Sequence, residues 1–199
     1  MKKIFPTLSL VILALTATCA AAKDEYYSYY DQHGQYERSG FYLSVGAGIA
    51  SSTMEAEYDG STYETTIDNN TGTQVAIKIG ASIRQNVQIY AGRIATIGTT
   101  DNDYDYVTGL FGVGVNLFAK DSDLFAEGML GVSDLTILVD DYDDFSADPG
   151  IGISLGLGYQ VAKYMEITGR FMFYTLSDPD DDADLNVKQF ALTMSFCLY

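Results

Sequence analysis

The chain has no tryptophan, one histidine, two cysteines and three prolines in 199 residues, and 11 lysines and arginines stand against 27 aspartates and glutamates. Each scarcity excludes something. A formal net charge of −16 leaves no basic footprint for a phosphate backbone, so nucleic acid is excluded as a partner. With His33 the sole imidazole, histidine-built metal sites and Ser-His or Cys-His catalysis lose their usual groups. No apolar run reaches the roughly 20 residues that a membrane helix needs. Apolar residues nonetheless make up 47% of the chain, too many for a disordered one. What the chain has in excess is tyrosine, 16 copies, and glycine, 19.

Residues 1–22 read as a secretory signal. Lys2 and Lys3 form the basic start, Ile4 to Ala17 the apolar stretch, and Ala20-Ala21-Ala22 a small-residue cleavage site. Cys19 lacks the leucine three places earlier that a lipobox would require, since Thr16 stands there, so lipidation is not expected. Cleavage after Ala22 leaves Cys197 as the one cysteine, and an intramolecular disulfide is then impossible. Residues 23–39 are polar and Tyr-rich (Tyr26, Tyr27, Tyr29, Tyr30, Tyr36), with neither strand nor helix period, and are expected to form a flexible leader. His33 lies in it and is expected to be solvated.

From Gly40 to Tyr199 the pattern is short alternation. Thr73–Arg84 is the clearest case: Val75, Ile77, Ile79, Ala81 and Ile83 alternate with Gln74, Ala76, Lys78, Gly80 and Ser82. The same period predicts strands at Gly40–Ser52, Asn86–Ile97, Tyr106–Ala119, Leu124–Leu135, Gly150–Val161, Tyr164–Tyr174 and Val187–Tyr199. Eight strands of about ten residues each have the length a tilted strand needs to cross a bilayer. Short connections at Arg84–Asn86, Lys120–Asp123 and Ala162–Lys163 alternate with long ones at Thr53–Gly72, Gly98–Asp105, Thr136–Pro149 and Thr175–Asn186. Such sorting suits an up-and-down barrel inserted from one side of a membrane.

The less apolar face carries Gly80, Gly112, Gly114, Gly152, Gly156, Gly158, Lys78, Glu127, Glu166 and Arg170. It suits the interior of a narrow barrel, where small residues make room for a few large paired ones. The Ile/Leu/Val/Phe face then meets lipid, and closure satisfies every backbone donor and acceptor. Tyr42, Tyr58, Tyr90, Tyr106, Tyr159, Tyr164 and Tyr174 are expected near strand ends as interfacial girdles. Arg170 is expected to pair with Glu127 or Glu166, with Lys78 nearby.

These features together resemble the small eight-stranded outer-membrane barrels of the OmpX and OmpA transmembrane-domain type, over about Gly40 to Tyr199. The resemblance implies an all-β, eight-stranded antiparallel up-and-down transmembrane β-barrel, integral to the bacterial outer membrane. It also implies periplasmic termini and extracellular long loops. Family members usually end in Phe; here Tyr199 is last and the apolar series Phe190 to Leu198 lies one residue out of phase.

The four long connections hold 18 acidic residues (among them Glu55, Glu57, Asp101, Asp103, Asp105, Asp140, Asp141 and Asp180) and no lysine or arginine. A solvated, repulsive outer surface accounts for them. Divalent cations are the competing partner, since clustered carboxylates suit Ca²⁺ or Mg²⁺. Asp101-x-Asp103-x-Asp105 opens like a calcium loop but lacks its glycine at the sixth position and its acid at the twelfth. Eight strands leave an interior just filled by side chains, with no room for substrate. The expectation is therefore a monomeric surface-interaction barrel with outer-membrane lipid around it and surface or host ligands outside. It has no catalytic, cofactor-binding or metal residues and no cofactor. A small porin-like pore is the alternative, and a soluble ligand-binding barrel a more distant one.

Overall fold

The computed structural model describes residues 38, 40–58, 64–100, 104–120, 122–138, 145–177 and 183–199. The expected signal and all of the expected leader but Arg38 lie outside the described residues. Nine strands follow one another: β1 (Gly40–Tyr58), β2 (Glu64–Arg84), β3 (Val87–Thr99), β4 (Asp105–Phe118), β5 (Leu124–Leu138), β6 (Phe145–Ser146), β7 (Asp148–Ala162), β8 (Met165–Ser177) and β9 (Ala183–Leu198). The eight long ones pair antiparallel with their chain neighbours, and β1 pairs β9 to close the sheet on itself. The two-residue β6 only adds to the end of β5, at Thr136 and Ile137. The fold is therefore the expected closed eight-stranded barrel.

The strands run further than the alternation suggested. Most of the expected long loop Thr53–Gly72 is a ribbon of paired backbone, from Ser52 opposite Asn70 to Glu57 opposite Glu64. β-branched Thr65, Thr66, Ile67, Thr71 and Thr73 favour extended backbone, and a two-stranded pairing needs no apolar face to be recognised. Likewise Thr99 pairs Asp105, and β8 and β9 stay paired out to Ser177 and Asp184. The end of the barrel that carries the acid is thus built largely from protruding strand. At the other end the chain reverses tightly at Gln85–Asn86 and Lys163–Tyr164.

The faces are sorted inside out relative to a water-soluble domain. Ile49, Val113, Ile151 and Leu157 are each at least 66% exposed, while Lys78 and Arg170 are 1% and 0% exposed. Apolar surface on this scale is stable only against lipid.

The tyrosine girdle needs correction. Tyr42, Tyr90, Tyr106 and Tyr174 point into the lumen and are buried, whereas Tyr159 faces outward and Tyr164 sits half-buried on a turn. Parity decides this. Tyr42 follows exposed Phe41, and Tyr174 follows exposed Phe173. A residue next to an outward one must face in. The side chain of Tyr58 lies outside the described residues.

Glycine makes room for these side chains. Gly92, Gly112, Gly131 and Gly152 stand opposite one another on β3, β4, β5 and β7, and the row continues from Gly92 to Lys78 on β2. A Cβ at Gly131 would meet the backbone of Phe111, and one at Gly152 would sit 2.6 Å from the Tyr174 ring. Along this row, four neighbouring strands present bare backbone to the lumen.

Candidate functional site

The lumen is filled by three tiers of polar contacts. In the middle tier, Lys78 from β2 and Arg170 from β8 both reach Glu127 on β5. Lys78 Nζ forms a buried ion pair with Glu127, and Arg170 Nε lies 3.3 Å from Glu127 Oε1. Arg170 also donates to Gln74 Oε1 at 2.8 Å and to Thr193 Oγ1 at 3.0 Å, and the Thr193 hydroxyl donates to Gln74 at 2.7 Å. Lys78 lies 4.9 Å from the centre of the Tyr90 ring. Burying these charges is tolerable because each cation finds the same carboxylate and Arg170 Nη1 is taken up by the neutral acceptors Gln74 and Thr193. The sequence expectation of Arg170 on Glu127 with Lys78 beside it holds. Glu166 belongs to a different tier.

That second tier closes the turn end. Tyr199 donates to Glu166 Oε1 at 2.6 Å, Tyr42 reaches Glu166 Oε2 at 3.5 Å, and the two rings stack at 5.7 Å. Burial pushes the Tyr199 phenol well above its ordinary pKa, and the Glu166 carboxylate beside it adds to the effect, so the hydroxyl stays a donor. Below these groups Arg38, just ahead of β1, is 1% exposed. It donates to Gln160 at 2.6 Å and to Asp123 at 2.5 Å and lies 3.8 Å over the Phe118 ring.

A third tier lies toward the acid-rich end. Gln189 donates to Ser52 at 2.7 Å and accepts from Tyr174 at 3.3 Å and Thr96 at 3.4 Å, while Tyr106 donates to Ser52 at 3.1 Å. Gln74, Gln189 and Ser52 were readable from parity once inward positions were assigned. Arg38 had no such signal, since it precedes the first alternating residue.

At the acid-rich end, Glu55 holds Lys188 at 2.7 Å and Thr99 donates to Asp105 at 2.8 Å. Most of the acidic residues of the four connections lie outside the described residues, Asp101, Asp103, Asp140, Asp141 and Asp180 among them. Among the described residues no group of three or more His, Cys, Asp or Glu is placed to hold a metal ion. The outer wall carries a shallow apolar groove of about 830 Å³ between Ala81, Ile89, Ala91, Val113, Leu130 and Leu155.

A closed barrel with an apolar exterior and a polar, packed interior defines a transmembrane β-barrel. The outer membrane protein beta-barrel domain family matches residues 10–196, and the chain belongs to that family. It is accordingly an integral protein of the outer membrane. Among solved structures it is similar to Ail, the attachment invasion locus protein of Yersinia pestis, at 15% identity and a TM-score of 0.56, over 80% of this chain and 99% of that one. It is also similar to Neisserial surface protein A, at 13% identity and a TM-score of 0.52, over 79% and 97% of the two chains. The same Ail protein in complex with the heparin analogue sucrose octasulfate matches at 15% identity and a TM-score of 0.50, over 80% and 99%. No curated protein matches the chain.

Proposed function

We propose that the protein is a non-catalytic surface barrel that presents its acid-rich end outside the cell and keeps both ends of the barrel domain on the periplasmic side. The observation that carries this reading is the Lys78–Glu127–Arg170 cluster, buried across the middle of the lumen. A barrel plugged by a buried ion-paired cluster leaves neither a water path for a pore nor a cleft for a substrate. What remains for function is the rim.

Ail has been solved in complex with the heparin analogue sucrose octasulfate, a polyanion. Here the four connections hold acid and no lysine or arginine, so a polyanion would be repelled and cationic ligands or divalent ions attracted. The reading is tested by topology and conductance together. An epitope inserted within residues 140–148 should be reached by antibody on intact cells, and one within 120–123 only after permeabilisation. The purified barrel should leave a planar bilayer at its baseline conductance. Reversed labelling overturns the surface role, and steady channel currents favour the pore.

A further inference from the structure

The basic side chains of the barrel are unevenly committed. Lys78 and Arg170 meet Glu127, Arg38 meets Asp123, outward-facing Arg93 meets Asp134, Lys188 meets Glu55, and Lys163 lies over the Tyr164 ring. Arg84 and Lys120, both exposed, have no such partner among the described residues. They stand on neighbouring turns, β2–β3 and β4–β5, which touch where Phe118 donates its backbone N–H to the Asn86 carbonyl at 2.9 Å.

An irregularity in β2 aims Arg84 at the lipid. Strict alternation from exposed Ala81 would turn Arg84 into the lumen. The register slips between Ser82 and Arg84, however, so Arg84 stands opposite Val87, whose other neighbour is half-exposed Leu117. Residues paired across a sheet share a face, and a bulge re-aims the side chain that follows it. Arg84 therefore belongs to the outward row of Val87 and Leu117. The apolar groove of the outer wall starts one outward step from that row. Ala81, Val115 and Gly128 form its near row and Ala91, Val113 and Leu130 its far row, about 7 and about 13 Å from Arg84 along the strands. Small outward residues keep its floor low: a Cβ at Gly128 would meet nothing nearer than Leu155, at 4.0 Å.

We propose that this wall is a binding site for an anionic phospholipid of the leaflet at the turn end, its phosphate held by Arg84 and Lys120 and one acyl chain laid in the groove. Charge complementarity selects that occupant. Arg84 lies in the last paired row of β2 and β3, and Lys120 in the turn beyond Leu117, so both cations sit at headgroup level below an apolar channel. Basic clusters at a membrane boundary recruit acidic headgroups, and the planar guanidinium takes phosphate oxygens two at a time. A zwitterionic lipid offers the same chains but adds a cation that Arg84 and Lys120 repel. In the orientation proposed above the leaflet is the periplasmic one. Lipid retention on the purified barrel reads the site and epitope labelling reads the orientation, so either fails without the other.

The test is native mass spectrometry of the folded barrel from micelles holding equal amounts of phosphatidylglycerol and phosphatidylcholine with the same chains. The parent should retain phosphatidylglycerol over phosphatidylcholine by roughly fivefold or more. Arg84→Gln combined with Lys120→Gln should bring the two lipids to parity, while Lys188→Gln, at the acid-rich end, keeps the parent's ratio. Ala91→Phe should fill the groove and cut retention of phosphatidylglycerol with both cations in place. If that variant lacks the heat-modifiable folded band, Gly128→Leu is read in its place. Equal retention of the two lipids by the parent, a parent-like ratio in the double variant, the same loss in Lys188→Gln, or parent-like retention with the groove filled overturns the proposal.

Discussion

The hydroxyl of Tyr199, the last residue of the chain, donates to the carboxylate of Glu166, and its ring stacks on Tyr42. The out-of-phase C-terminus thereby has a physical account. Phe190, Leu192, Met194 and Leu198 face outward, and Tyr199 turns in to satisfy a buried charge that has no lysine or arginine within ion-pair distance among the described residues. Replacing Tyr199 with Phe keeps the ring and removes the donor. The barrel should lose about 1.5–3 kcal/mol, the usual worth of a hydrogen bond to a charged group, read from urea unfolding in micelles.

The same residue gives a pH signature. Tyr199 lies past the end of β9, and burial holds its phenol protonated above the ordinary value near 10. As pH rises through about 10 the unfolded chain releases this proton while the folded one keeps it, so stability falls with rising pH. Below that pH the group contributes no slope. The parent should therefore lose stability above about pH 10 more steeply than Tyr199→Phe. Parallel curves for the two would refute the assignment.

Glu127 is the single carboxylate between two buried cations. Glu127→Gln should cost about 3–5 kcal/mol, because it leaves both cations without a charge partner. Arg170→Met should cost less, since Lys78 still neutralises Glu127. Denaturant midpoints that rank the two variants the other way would show that Arg170 carries the cluster.

The glycine row separates two kinds of glycine. A side chain at Gly112 would strike the backbone of Leu130 and Gly131, whereas one at Gly169 meets nothing within 4 Å. Gly112→Val should abolish the heat-modifiable folded band, while Gly169→Val should keep it and shift stability by less than about 1 kcal/mol.

Strand number, order and inward charges were readable because period 2 is a geometric property of extended backbone, and Thr73–Arg84 shows it without ambiguity. The tyrosines were misread because placement near strand ends was weighed above parity, which alone decides whether Tyr42 faces lipid or lumen. The ribbon from Ser52 to Asn70 was missed because it stands clear of the apolar belt, where no buried face imposes alternation. Arg93 and Asp134 escaped notice for the opposite reason: an outward charge within a strand breaks the pattern that identifies the strand.

The three members of the central cluster come from β2, β5 and β8, so no hairpin contains two of them. A partly assembled sheet carries each charge unmatched, and a bilayer penalises it at every stage before closure. Only the closed ring brings both cations onto Glu127. Insertion strand by strand would therefore carry a charge penalty that the closed barrel avoids.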